Sequence, residues 1–343
     1  VTIRMNRRAA LGLGTIATAG TVLGTAVPAG ADPGREAAAE VGAATDDRAR
    51  VASRIAGVYE RLSGQAGGNW QSYVSLAGQG GAAPLVAVSE SADQRIEAYS
   101  VNKIAVAAAV LDKVDRGLLT LDQQVEVTDA IVVPGGDGIF SLDGAYPSLV
   151  TLGHALANLL TVSDDTAVRL CGLVCPAAEI NQILVAKGFP NTQVQPVANP
   201  NRFFLGTSTP RETHDLLRAL VGGVLLSAAS TEFVLRLLRS PVAFTDGVRR
   251  EMSSAERARI ATKAGWFADA RHEAGVIFDT TGAPLVTYAL FADGQSGADD
   301  FGATHPAVQA RARFGRRVLG LTDGLGGSGT AHREHLYRPS NGG

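Results

Sequence analysis

Three short stretches carry side chains that can do chemistry together. "SVNK" sets Ser100 three residues before Lys103, "VSDDT" holds Ser163, Asp164 and Asp165, and "TKAGW" holds Lys263, Ala264, Gly265 and Trp266. Ser100 stands at the start of an apolar run, "KIAVAAAVLDKV", that reads as a helix, and residues i and i+3 of a helix share a face. The first turn of a helix leaves N–H groups unpaired and favours developing negative charge. A hydroxyl there becomes a nucleophile when a base takes its proton. A desolvated lysine is driven toward its neutral form and can be that base. Arginine stays protonated and cannot. The chain has four lysines, at 103, 113, 187 and 263, against 27 arginines, yet both basic positions of these stretches are lysine. Taken alone, S-x-x-K is better read as a capping serine before a surface lysine; the other two stretches turn the reading toward catalysis.

The order S-x-x-K, S-D-x, K-x-G resembles the serine β-lactamases and penicillin-binding proteins. Ser163 follows Ser100 by 63 residues and Lys263 follows by 100 more, a spacing most similar to the class A branch. The resemblance extends over about residues 46–320, through "LDKVDRGLLTLDQQVEVT", "YPSLVTLGHALANLLTVSDDTA", "TSTPRETHDLLRAL" and "KAGWFADARHEAGVIF". It implies that Ser100 is acylated, that Lys103 is the base for acylation, and that the Ser163 hydroxyl bridges the two lysines and relays a proton to the leaving group. It implies that Lys263 supplies positive charge for a substrate carboxylate, and that the backbone N–H groups of Ser100 and Trp266 form an oxyanion hole. Substrate contacts fall to Asp165, Ala264, Gly265 and Asn199. No metal and no cofactor are implied.

The chain departs from the family pattern at three points. Asp165 stands where the family usually has Asn; a carboxylate there raises the pKa of Lys103 and repels acidic substrates, or serves only as a cap or ion-pair partner. Ala264 replaces a hydroxyl residue that would bind a substrate carboxylate. The stretch matching the Ω loop, "NTQVQPVANPNRFFLGTSTP" (191–210), has no Asp or Glu, where class A enzymes carry the glutamate that activates the deacylating water. Asn199 and Asn201 can position a water without taking its proton, so an acyl-enzyme is expected to persist. Glu212, on the next helix, is the nearest substitute. "VPGGDGIF" (133–140) is Gly-rich without the G-K-[ST] of a phosphate loop and is expected to edge the cleft, with Ile139 or Phe140 as a wall. Arg271, His272 and Glu273 either border the site or cover the hairpin; His154 and His214 read as structural.

The elements that must hold these residues follow from pattern. "DDRARVASRIAGVYERLSG" has helical spacing, with Asp46 or Asp47 as N-cap. "WQSYVSLAG" and "APLVAVSES" read as strands. Residues 110–250 are mostly helical, with starts at Thr151, at the Cys175–Pro176 pair and at Thr209 before Pro210. "ARIATKAGW" and the hairpin "HEAGVIFDTTGAPLVTYALFAD" return to strand, and "HPAVQARARFGRRVLGL" closes as a helix. The expected fold class is α/β (α+β), β-lactamase/transpeptidase-like: a five-stranded antiparallel sheet flanked by helices, plus an all-helical lobe. The sheet lobe covers about 46–109 and 250–320, the helical lobe about 110–249, and residues 321–343 read as a disordered tail.

Residues 1–31 read as a signal peptide, with Arg4, Arg7 and Arg8 before a weakly apolar run ending in "AGA"; the adjacent arginines resemble a twin-arginine export signal. Residues 32–45 read as a linker. The run is too rich in Gly and Thr for a stable membrane anchor. The whole chain carries a formal charge of −2, and its basic residues are scattered, which excludes a nucleic-acid stripe. Cys171 and Cys175 suit a short disulfide in an exported protein, and "HREH" offers His332 and His335 but too few ligands for zinc. The reading is an exported, monomeric serine acyl-hydrolase acting on a small molecule: a β-lactam, an ester or a D-amino-acid peptide. Slow-deacylating peptidase-like, esterase and transacylase activities stand as alternatives, as does a non-catalytic binder of β-lactams or peptidoglycan stems.

Overall fold

The run after Ser100 is apolar on every side, and a helix of that kind can be stable only in the middle of a core. The computed structural model describes residues 33–79, 82–142, 144–333 and 340–342, with side chains from Asp47 onward. It divides into Val1–Ala43 and Ala44–Gly343. Of the first unit only the opening of helix α1 (Pro33–Ala66) is described, and it lies where a linker was expected. Residues 1–31 and the signal read there lie outside the described residues.

In the second unit α1 leads to β1 (Asn69–Leu76), β2 (Leu85–Glu90), β3 (Ile96–Glu97), a 3₁₀ turn at Tyr99–Asn102 and α2 (Lys103–Asp115). Then come β4 (Gln124–Val127), β5 (Ser148–Thr151), α3 (Leu152–Thr161), α4 (Asp165–Val174) and α5 (Ala177–Ala186). After β6 (Gln193–Pro196) and β7 (Phe203–Ser208) follow α6 (Pro210–Val221), α7 (Ala228–Leu238) and α8 (Ser254–Ala258). The chain returns through β8 (Ile260–Phe267), β9 (Ala270–Phe278) and β10 (Pro284–Asp293) to α9 (Pro306–Leu321). The main sheet runs β2-β1-β10-β9-β8, antiparallel throughout, so strands from both ends of the chain share it as expected. Thr151 and Thr209 cap α3 and α6 with their hydroxyls, and Pro176 precedes α5. Asp47 does not cap a helix; it lies inside α1 and pairs with Arg50 at 2.8 Å.

One face of the sheet packs on the terminal helices through Ile55, Tyr59, Leu62, Phe314 and Val318. The other packs on the helical region, and α2 runs through that core with Ile104 to Leu111 all buried. This region is not all-helical, a correction to the expected lobe. β4 pairs with β5, and β3, β7 and β6 form a third sheet, so the stretch read as an Ω loop is largely a hairpin. These strands are only two to six residues long, too short for a strand period to stand out. The tail corrects a second expectation. Gly327 N–H donates to Asp279 at 2.7 Å, Ser328 N–H to Pro284 O at 2.9 Å, and the His332 ring bonds Val221 O at 2.9 Å, so residues 322–333 lie on the body. Cys171 and Cys175 are buried free thiols; burial pushes both up to about 12. No single described helix is long and apolar enough to cross a membrane.

Candidate active site

Ser100 does not open the α-helix; it sits in the 3₁₀ turn just before it. In a 3₁₀ turn residues i and i+3 eclipse, which stacks Ser100 and Lys103 more directly than an α-helix would. Lys103 N–H donates to Ser100 O, and α2 begins there. The turn is tied down twice: Asn102 donates to Leu205 O at 2.7 Å and Thr207 O at 3.0 Å, and Ala98 N–H donates to Gly206 O at 2.9 Å. Tyr99, directly before Ser100, has φ +47°, an uncommon left-handed conformation for a non-glycine residue.

Lys103 is fully buried in α2 and its side chain reaches the α3–α4 connection. Its Nζ lies 3.1 Å from Ser163 Oγ and 2.8 Å from Asp165 Oδ1, and also contacts Ser163 O. Ser163 is held at φ +59°, which turns its hydroxyl into the gap between the two lysines. From the other side Lys263 Nζ donates to the same Ser163 Oγ at 3.0 Å and to Ala264 O at 2.7 Å. One hydroxyl thus joins two buried amines. Burial lowers the pKa of both lysines, and Asp165 partly opposes it at Lys103. Among the described residues no carboxylate pairs with Lys263, and burial, followed by the Lys103 charge beside it, drives it well below its ordinary value. The two amines share one hydroxyl, so the charge on each bears on the protonation of the other.

The two aspartates after Ser163 divide their work. Asp164 is fully buried; it caps α4 through Ala167 N–H at 2.9 Å and accepts from Ile139 and Phe140 N–H at 2.7 and 2.9 Å. Asp165 reaches Lys103 with one oxygen and accepts from Asp137 N–H with the other at 3.0 Å, while its own N–H returns to Asp137 O at 3.0 Å. These bonds lay the 133–142 loop against the site. Gly138, at φ +99°, allows it, since a Cβ there would stand 2.2 Å from Asp164 Oδ2. Phe140 is turned into the core and Ile139 is exposed. Asp137, which sequence reasoning passed over, faces both lysines, and burial followed by the Asp165 charge holds its carboxyl above the usual range.

β8 is the edge strand and brings the third motif. A Cβ on Gly265 would lie 2.9 Å from Ser100 N and 2.8 Å from Val101 N, so only glycine lets the strand pass this close to the turn. Phe278 N–H donates to Arg259 O, which sets the hydrogen-bonded pairs of the β8–β9 ladder. Alternation then leaves the N–H of residue 266 on the unpaired edge, beside the Ser100 turn. Ala264 is fully buried and shares its face with its partner Glu273, opposite to Lys263 and Gly265, so its side chain does not line the cleft.

Asn199 is exposed in a turn, its Oδ1 accepting from Asn201 N–H at 3.0 Å; no described hydrogen bond joins it to Ser100 or either lysine. Glu212 is occupied elsewhere, its carboxylate accepting from the backbone and side chains of Asn191 and Thr192 at 2.7–3.1 Å and pinning the start of β6. Arg271 binds five backbone carbonyls, and Glu273 is buried against Thr262 and Val248 N–H. His214 bonds Ser75 at 2.8 Å in the core, and His154 stands by Phe140. Of "HREH", His332 is bonded within the fold and His335 lies outside the described residues. Among the described residues no three His, Cys, Asp or Glu side chains gather as a metal site. A groove of about 1010 Å³ lies between α1 and β2, at the sheet edge remote from β8.

The fold is one seen in solved structures. A β-lactamase from Sphaerobacter thermophilus superposes with a TM-score of 0.64 at 20% identity, covering 78% of this chain and 97% of that one. PBP-A superposes at 0.63 with 20% identity over 80% and 97%. A PBP-A mutant solved as an acyl-enzyme complex with penicillin G superposes at 0.60, with 19% identity over 78% and 96%. No curated protein sequence matches this chain. The model of the beta-lactamase enzyme family matches residues 51–321, the same span that holds the sheet, the two lysines and the serine between them. The chain belongs to the beta-lactamase enzyme family.

Proposed function

We propose that this protein is an exported, monomeric serine acyl-hydrolase that forms an acyl-enzyme at Ser100 with β-lactam or related amide and ester substrates. The observation that carries the reading is the Ser163 hydroxyl 3.1 Å from one buried lysine amine and 3.0 Å from the other. In the first step the Ser100 Oγ–H proton passes to neutral Lys103 while Oγ bonds the substrate carbonyl carbon. The oxyanion that forms lies between the Ser100 and Trp266 N–H groups, an interaction worth about 10²–10³ in rate per donor in other hydrolases. Collapse breaks the bond to the leaving nitrogen or oxygen, which takes the Ser163 proton; the lysines replace it. The ester at Ser100 remains.

A second reading concerns what happens next. Glu212 is committed to the backbone of Asn191 and Thr192, and the 191–210 stretch has no acid, so the deacylating water has no carboxylate on that rim. This favours a long-lived acyl-enzyme, with a peptidase-like, esterase or transacylase reaction, over fast β-lactam turnover. The test is intact-mass spectrometry of the purified chain with a fluorescent penicillin. A lasting adduct that is lost in Ser100→Ala supports slow deacylation. Product without a lasting adduct restores fast β-lactamase action. Reversible binding with no adduct, and no cleavage of activated esters, leaves a non-catalytic binder and sinks the enzyme reading.

A further inference from the structure

We propose that His272 is a positioning residue of this site: as a neutral ring locked in one tautomer, it fixes the turn that presents Ser100. The proposal rests on Ser100 being the acylated residue, as argued above. His272 lies on β9 directly opposite Gly265 and so projects from the sheet face that meets the Ser100 turn. Its Nδ1 accepts from Ala292 N–H at 3.0 Å, so that nitrogen carries no proton. Nε2 therefore holds the hydrogen and donates it to Glu97 O at 3.0 Å. Glu97 stands three residues before Ser100.

The same ring belongs to a four-ring stack. Phe291, fully buried, lies 4.7 Å from it at 25°; Tyr99 lies 5.6 Å from its other neighbour side at 30°; and Phe267 lies 5.6 Å beyond Tyr99 at 29°. His272 thus grips residue 97 by a hydrogen bond and residue 99 by its ring. Tyr99 at φ +47° is in a conformation unfavourable for a bulky residue, which persists only where the surroundings over-determine it. The hydrogen bond, the stack and the Asn102 anchors supply that determination.

Only a neutral imidazole can accept from one strand and donate to the turn at once. A protonated ring would set a second N–H against Ala292 N–H. Glu97 from β3, Asp269 from the β8–β9 turn and Asp293 from β10 line one groove with the ring, and Arg311 from α9 lies across the sheet beside Glu273; burial, assisted by Arg311, holds the pKa down to about 4. The ring is therefore neutral at neutral pH, and the grip is lost as pH falls through about 4.

Three measurements on the full chain test this. Nitrogen NMR of the ring is expected to show a bare Nδ1 and a protonated Nε2 from pH 5.5 to 8; the opposite tautomer or a mixture overturns the proposal. His272→Phe keeps a ring and loses both hydrogen bonds, whereas His272→Gln retains an amide donor toward Glu97. Acylation by fluorescent penicillin is expected to slow by about 10–100-fold in His272→Phe and less in His272→Gln, because misplacing a nucleophile by about an ångström costs that much. Wild-type rates in both variants overturn it. Amide hydrogen exchange over residues 97–102 is expected to quicken in His272→Phe at pH 7, and in the wild type only as pH falls through about 4. Exchange there that is unaltered by the substitution or by acid refutes the positioning role. The NMR and exchange arms need no reactive Ser100. An unacylated wild type therefore refutes the function while these arms still decide the role of His272.

Discussion

Replacing Asp165 with Asn isolates the most consequential departure of this site from its family. The carboxylate lies 2.8 Å from Lys103 Nζ, and Coulomb attraction at that distance is about 1.5 kcal/mol in water and about 6 kcal/mol at an effective dielectric constant of 20. Lys103 is fully buried but the Asp165 side chain is 35% exposed, so solvent screening brings the useful figure toward the lower end, about 2 kcal/mol. Burial already lowers the Lys103 pKa, and Asp165 works against it. Removing the charge lets burial act unopposed. The Lys103 pKa should fall further, and the acid limb of the acylation profile should move down with it. On that acid limb acylation should be faster than in the wild type, the extra neutral amine outweighing the weaker base. The assay is stopped-flow acylation by an uncharged activated ester from pH 5 to 10, which avoids changes in substrate repulsion. Asn has one acceptor oxygen for two donors, Lys103 Nζ and Asp137 N–H, so Asp165→Ala is run beside it to separate loss of charge from loosening of the 133–142 loop. An acid limb that stays put or moves up in both variants would refute this account of the Lys103–Asp165 pair.

Gly265→Ala places a methyl 2.9 Å from Ser100 N and 2.8 Å from Val101 N; acylation should fall by about 100-fold with a modest loss of melting temperature, and a wild-type rate would show that the turn yields freely. Cys171 and Cys175, buried with thiols pushed up to about 12, should resist a thiol reagent in the native state, and denaturation without reductant should release two reactive thiols per chain; fewer than two would reveal a disulfide.

Much of this site was legible because its chemistry depends on residue type at short range. S-x-x-K places two side chains on one helical face whatever surrounds them. A lysine in an arginine-rich chain, repeated at both motif positions, marks a demand for a deprotonatable amine. The caps at Thr151 and Thr209 and the β9–β10 hairpin are likewise local. What stayed hidden was non-local. Asp137 lay in a loop without a motif of its own, and only its backbone exchange with Asp165 brings it to the lysines. Ala264 read as a cleft residue until strand alternation turned it to the far face. Glu212 stood as a spare base until its carboxylate was found capping the start of β6.

The amino-acid sequence by itself determined the family, the sheet built from both chain ends, and which serine, which two amines and which second hydroxyl are the candidates for the chemistry. Those follow from side-chain chemistry and from periodicities of a few residues. The tertiary structure decided which carboxylate touches which amine, which strand edge is left unpaired, and that a histidine from β9 holds the turn before Ser100. Those depend on how segments more than a hundred residues apart meet, and burial at that meeting, not residue type, sets the proton affinities on which the chemistry depends.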